Sequence, residues 1–355
     1  MSGIPLLITA GISGASESSL VLSDVTTGNS STLKHGFLKK LSGNASEYMD
    51  GSGAWSVPAG SGFSTANVLW CVSGGAYATL QDAVNAASDR QTILVAPKGS
   101  SWGDVVLPAG KRINIFGLQS ERGLIVEVNS VTFSPTTGAN ILLNENSLFN
   151  LYINQTTGTS SAVTFGGTAP GRLRFMGCYI NASNGSASLI DMTNSGSASS
   201  LYLERCNVDA GSSGTRTAFS LSSSVYFRVR NSDFSGGTKC GSVSAGTFDV
   251  SFSTLECNQV NEVLTLSGGT SYFGNCSVKN TTANGSGIAM SGSAVLSFGA
   301  SGFAVNAGTG YCISGTGTVL YDRITFSDSP ALAQNKKIQN TLTLLTYTTT
   351  PSIVA

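Results

Sequence analysis

Leu173-Arg174-Phe175-Met176-Gly177-Cys178-Tyr179-Ile180-Asn181 and Leu201-Tyr202-Leu203-Glu204-Arg205-Cys206-Asn207-Val208-Asp209 carry one pattern. An alternating strand ends on an apolar residue. Two others follow, then a small or apolar residue, a polar one and another apolar one. Working outward, the unit recurs as Leu148/Leu151/Ile153, Phe175/Cys178/Ile180, Leu203/Cys206/Val208, Val229/Ser232/Phe234, Phe252/Leu255/Cys257, Phe273/Cys276/Val278, Phe298/Ser301/Phe303 and Tyr321/Ile324/Phe326. Successive starts lie about two dozen residues apart, a spacing that belongs to stacked solenoid coils. Further apolar strands lie between units, at 188–192, 217–221 and 262–266. One coil cannot bury its apolar residues alone, so neighbours stacked about 4.8 Å away must complete the core. The expected fold is therefore all-β, a parallel β-helix solenoid.

Stacking turns the repeat into columns. The first reads Leu148, Phe175, Leu203, Val229, Phe252, Phe273, Phe298, Tyr321, and the second Leu151, Cys178, Cys206, Ser232, Leu255, Cys276, Ser301, Ile324. Small residues in the second offset bulk in the first, which accounts for three cysteines as packing. A polar column, Asn154, Asn181, Asp209, Ser235, Asn258 and Lys279, is expected to chain its side chains from rung to rung at a corner.

Composition agrees. Of 355 residues, 41% are apolar and only 11% charged, with 43 glycines and zero net charge, which favours sheets and turns over charge-laced helices. No basic field is present to hold nucleic acid or an anionic membrane. The cysteines at 71, 178, 206, 240, 257, 276 and 312 include no CxxC, so buried free thiols made in a reducing compartment are expected, and no zinc site or other cofactor. Met1–Ala10 is apolar but lacks a basic n-region and is too short to span a bilayer, so neither an export signal nor membrane insertion is expected.

Three segments follow from composition: an N-terminal module with a Gly/Ser-rich exit over 1–66, the solenoid over 67–330, and a strand-like assembly segment over 331–355. The solenoid opens with a short helix. Thr79 is placed to cap it, with Asp82 returning the bond, and Leu80, Ala83, Val84 and Ala87 share a face.

The stretch Tyr77-Ala78-Thr79-Leu80-Gln81-Asp82-Ala83-Val84-Asn85-Ala86-Ala87, then Thr92–Val95 and Val105–Leu107, resembles the capped start of the pectin-lyase-like right-handed parallel β-helix superfamily, over about four fifths of the chain. There a short helix plugs the first coil. That resemblance speaks to fold and little to activity. Further upstream, Lys34-His35-Gly36-Phe37, Gly43-Asn44, Tyr48 and Gly51-Ser52-Gly53-Ala54-Trp55 are similar to a segment common in bacteriophage tail-fibre and head-fibre proteins, near their particle-attachment end. Lys39 departs from it, since proline is usual near that position. The resemblances imply a virion protein (spike, tail fibre or capsid appendage) that contacts other virion proteins through its N-terminal module. They also imply a homotrimer that contacts a host surface glycan.

Enzymatic readings are constrained by counting. The one histidine, His35, lies outside the repeats, and neither HExxH nor GxxxxGK[ST] occurs, so neither a Ser-His-Asp site nor a nucleotide site is expected. Glycan depolymerisation is the rival, and it needs two carboxylates about 5 to 9.5 Å apart. The repeat register offers Asp233 and Glu256 as rung neighbours, continued backward through Asn207, Tyr179 and Tyr152 as a candidate glycan-contact column. A lyase would also want Arg or Lys beside the acid; Arg228 and Arg230 are near in sequence, with Arg228 expected to point away. Glu204 and Arg230, in register, read as an ordinary cross-rung pair. The column lacks the usual company of a sugar-cleaving site, with no tryptophan after Trp102. The expectation is a non-enzymatic protein.

Overall fold

The computed structural model describes residues 67–118 and, apart from short loop stretches, 125–326, together with 48–49, 55–56, 338, 343–346 and 352–354. The chain divides into two units, Met1–Ser64 and Thr65–Ala355. In the first, Tyr48–Met49 and Trp55–Ser56 form a short antiparallel pair with Met49 opposite Trp55. Lys34, His35, Gly36 and Phe37 lie outside the described residues.

The second unit is a parallel β-solenoid of right-handed type with about nine turns. Among the described residues its strands stack into parallel sheets of twelve, ten and nine strands. Each complete coil gives one strand to each sheet. For example, Arg172–Met176 enters the twelve-stranded sheet, Tyr179–Ala182 the ten-stranded sheet and Ile190–Met192 the nine-stranded sheet. Alternation sends every second side chain inward. Leu148, Phe175, Leu203, Val229, Val250, Phe273, Phe298 and Tyr321 form one inward column in strict register. The further apolar strands expected between units form the nine-stranded sheet, including Thr217–Leu221 and Glu262–Leu266.

One coil of the expected register is displaced. Val250, not Phe252, pairs with Val229 and Phe273, and Leu255 pairs with Phe234 and Val278. The fifth unit is thus Val250/Ser253/Leu255. A shift of two residues preserves the inward–outward alternation, so periodicity alone could not separate the two frames. Phe252 instead occupies the corner between the twelve- and ten-stranded sheets. In successive coils that corner holds Asn150, Gly177, Arg205, Asn231, Phe252, Asn275 and Ala300, all at positive φ between 44° and 63°. A single left-handed residue turns the chain from one sheet to the next. Its N–H still bonds across to the following coil, as from Phe252 to the Gly274 carbonyl at 3.0 Å. The polar corner column shifts likewise, with Glu256 rather than Asn258 beside Lys279.

Immediately after this corner comes the buried column of small residues. Ser232 Oγ donates to the Arg230 carbonyl at 2.7 Å and accepts from the Cys206 N–H at 3.0 Å. Cys178, Cys206 and Cys276 each place Sγ against carbonyls of the preceding strand and coil. All seven cysteines are free and buried. Burial raises the Cys71 and Cys276 thiols to about 11, so both stay protonated and unreactive at neutral pH.

The interior holds an aromatic cluster drawn from all three sheets. The Phe219 ring lies 5.3 Å from Phe227, 5.8 Å from Phe234 and 4.7 Å from Phe248. The next residue in its column is Gly241, where a Cβ would come within 2.2 Å of the Phe219 ring. The missing side chain is what makes room for that ring.

The helix forms over Leu80–Ala86 with the reciprocal Thr79–Asp82 capping box. Leu80, Ala83, Val84 and Ala87 join the core. Gln81 presents its amide to the strand Asp104–Leu107, donating to the Val106 carbonyl at 3.1 Å and accepting from its N–H at 2.6 Å. That strand is the edge of the nine-stranded sheet, so the side chain satisfies backbone groups a further strand would otherwise pair. At the other end, Thr343–Thr346 pairs in parallel with Thr318–Tyr321, and Ser352–Val354 with Arg323–Phe326. The C-terminal segment therefore continues the solenoid, and these two strands end their sheets.

Candidate functional site

The outward face of the ten-stranded sheet carries the candidate column. Glu127, Tyr152, Tyr179, Asn207, Asp233 and Thr254 stand in register on successive strands. Tyr152, Tyr179 and Asn207 thus lie where the repeat put them, and Asp233 follows Asn207. Exposure rises along the column, from half-buried tyrosines to exposed Asn207 and Asp233. The tyrosine rings lie 5.2 Å apart at a 32° tilt, as adjacent rungs dictate.

A second outward column, two residues along each strand, holds these rings in place. Asn154 Nδ2 donates to Glu127 at 3.0 Å. Asn181 Nδ2 donates to the Tyr152 hydroxyl at 3.1 Å and to Asn154 Oδ1 at 3.3 Å. The Tyr179 hydroxyl donates to Asp209 Oδ2 at 3.3 Å, while Asp209 Oδ1 accepts from the Gly211 N–H at 2.9 Å. The expected amide ladder is therefore present between Asn154 and Asn181. Burial, and then the Asp209 carboxylate, raises the Tyr179 phenol above its ordinary value, so it remains a hydrogen-bond donor.

At the N-terminal end of this face a groove of about 250 Å³ runs past Ile125, Asn150, Leu151, Tyr152, Gly177 and Tyr179. Gly177 occupies the corner position that carries arginine or asparagine in the next two coils, and its lack of a side chain leaves the groove beside Tyr179 open. Sequence reasoning did not single out Glu127 or Ile125. They lie on and beside the three-residue strand Val126–Val128, ahead of the first legible repeat, and only pairing with Leu151–Ile153 places them here.

The proposed carboxylate pair does not assemble as rung neighbours. Asp233 pairs with Asn207 on one side and Thr254 on the other, and Glu256 pairs with Lys279. The displaced coil is the cause: correcting it moves Glu256 to the position two residues along from the one beside Asp233. Arg228 belongs to a different face, in the twelve-stranded sheet, where Nε lies 3.5 Å from Asp249. Glu204 and Arg230 are in register there, yet no ion pair joins them. No group of three metal-ligating side chains occurs among the described residues. Tyr48 and Trp55, from the N-terminal module, lie on the short antiparallel pair of the first unit. No family model, curated protein or solved structure matches the chain.

Proposed function

We propose that the chain is a non-enzymatic structural component of a virus particle, a phage tail fibre, spike or capsid appendage, that contacts a host surface glycan. The observation that carries the glycan reading is the column Tyr152–Tyr179–Asn207–Asp233, in register on an open face and fixed by the Asn181 and Asp209 hydrogen bonds. Aromatic faces with amide and carboxylate edges suit sugar rings, which offer C–H faces and hydroxyl rims. Recognition rather than cleavage is the reading we adopt: the direct rung neighbours of Asp233 are an amide and a hydroxyl, and Glu256 lies diagonally, on the next strand and two residues along.

Residues 1–66 attach the protein to the particle, and the assembled form is a homotrimer, as in the fibre proteins that the N-terminal stretch resembles. The strands Thr343–Thr346 and Ser352–Val354, each last in its sheet, are edges available to neighbouring chains. A chain starting near Ser61 should fold and bind host envelope glycans but be missing from purified particles. Normal incorporation of that truncation rejects the attachment role. Release of oligosaccharide that disappears in Asp233→Asn or Glu256→Gln would promote the depolymerase reading instead.

A further inference from the structure

Five of the chain's ten arginines fall in three successive coils around one face and its corner. Arg172 and Arg174 project from the strand Arg172–Met176, Arg228 and Arg230 from Tyr226–Arg230, and Arg205 sits at the corner after Ser200–Glu204. Glu204 is the one acid on the outward side of these three strands. Tyr202 lies between the arginine-bearing rungs, with the guanidinium carbons of Arg174 and Arg172 at 5.2 and 5.7 Å from its ring. Between them runs a groove of about 260 Å³, lined by Arg172, Arg174, Tyr202, Arg228, Arg230 and Glu204, and Arg205 adjoins it at the corner, its N–H bonded to the Arg230 carbonyl at 3.0 Å.

The coils on either side bound the patch with negative charge. Glu145 takes Arg174 at 3.2 Å and Arg172 at 3.5 Å, and Asp249 takes Arg228 at 3.5 Å and the Tyr226 hydroxyl. Those ion pairs fix three of the guanidinium groups. Arg230 and Arg205 are exposed and form no ion pair among the described residues. The arrangement is therefore a pre-ordered cationic and aromatic floor with two free guanidinium groups on its rim. Guanidinium forks match carboxylate and phosphate oxygens, and the tyrosine supplies a ring face.

We propose that this groove binds an acidic saccharide, one bearing carboxylate or phosphate groups on its sugar units. The proposal takes its ligand class from the glycan-contact reading above but uses a different face. The bounding acids decide against nucleic acid. A polynucleotide strand carries a charge about every 3.4 Å, and would meet Glu145 and Asp249 as well as the arginines. A glycan with about one charge per sugar can place its anions on Arg205 and Arg230 and its rings over Tyr202.

The test is titration of the full chain with oligogalacturonate, a phosphomannan, neutral dextran, a single-stranded oligonucleotide and polyglutamate. One or both acidic saccharides should bind, which also separates carboxylate from phosphate as the preferred group, and dextran should not. Arg230→Gln should weaken binding about tenfold, the scale of one charge-assisted hydrogen bond, and Glu204→Gln should strengthen it. Both residues point outward, so melting should not change in either variant. Raising salt should weaken binding in step. Equal binding of dextran, equal binding of the oligonucleotide or polyglutamate, or no response to either substitution overturns the proposal. Glycan binding that is lost in Asn207→Ala but untouched in Arg230→Gln would sink this site while leaving the tyrosine face standing.

Discussion

Two columns run side by side through the central coils of the solenoid and are governed by different physics. The inward one passes through Val229, Val250, Phe273 and Phe298; the corner one passes through Asn231, Phe252, Asn275 and Ala300. Phe273 is 2% exposed and packs against Phe248 and Phe298, whereas Phe252 is 62% exposed. In the interior the side chain carries the energy, so size and polarity are restricted while the backbone is ordinary. At the corner the left-handed backbone and its hydrogen bond to the next coil do the turning. The side chain there faces water and varies freely from glycine to phenylalanine.

The sharpest way to break this comparison is Phe273→Asp. An unpaired carboxylate among aromatic rings should cost about 4 kcal/mol or more, read as a lower urea midpoint. Melting like the unaltered chain would mean that the inward register is misassigned. Next in size is Gly241→Val, whose side chain must displace the Phe219 ring. Overpacking of that kind costs about 1–3 kcal/mol. Most of that should return when Phe219→Leu is combined with it, since the two sites share one space. If the double variant is no better than the single one, the close approach is not the cause.

At the corner the sign reverses. Phe252→Asn should raise stability by about 0.5–1 kcal/mol, because asparagine tolerates positive φ better than a bulky side chain and no packing is lost. A destabilisation as large as that of Phe273→Asp would erase the distinction between the two columns.

The smallest effect belongs to an exposed pair outside both. The hydrogen-bonded Arg112 guanidinium holds Asp89 at about 2, below its ordinary 3.8. A depressed carboxylate adds stability that is present above pH 3.8 and lost as pH falls toward 2. Arg112→Gln should flatten the acid dependence in that window and lower neutral stability by the same small amount, since the pair is exposed to solvent. An unaltered acid slope would show that other carboxylates set it.

How far the sequence carried follows from the same contrast. Inward positions repeat in residue type, so seven of the eight expected units stand in the register found, from Leu148 to Tyr321. The helix was legible because Thr79 and Asp82 combine with an apolar face. The corner was not: Asn150, Gly177, Arg205 and Phe252 share a backbone angle and no side-chain chemistry. An apolar residue landing there drew the fifth coil two positions out of frame. The candidate site inherited that error selectively. Tyr152, Tyr179 and Asn207 precede the displaced coil and stand in the expected register, while Glu256 lies within that coil and does not. The arginine face was legible only in part, as the Glu204–Arg230 register, since Arg172, Arg174 and Arg205 are outward residues of separate coils that strand pairing brings beside them.

The parallel stack also bears on how such a chain is made. Phe175 pairs with Leu203 in the next coil, and Val250 with Phe273 in the next, and the interval between partners does not grow with chain length. The loop-closure entropy per coil is therefore nearly constant, and each new coil finds its template already in place. A ribosome delivering residues in order presents every strand to a finished edge. Synthesis and folding can then advance together, the slow step being the first pair of coils, next to the helix Leu80–Ala86 and the Gln81 amide that occupies an edge of the nine-stranded sheet.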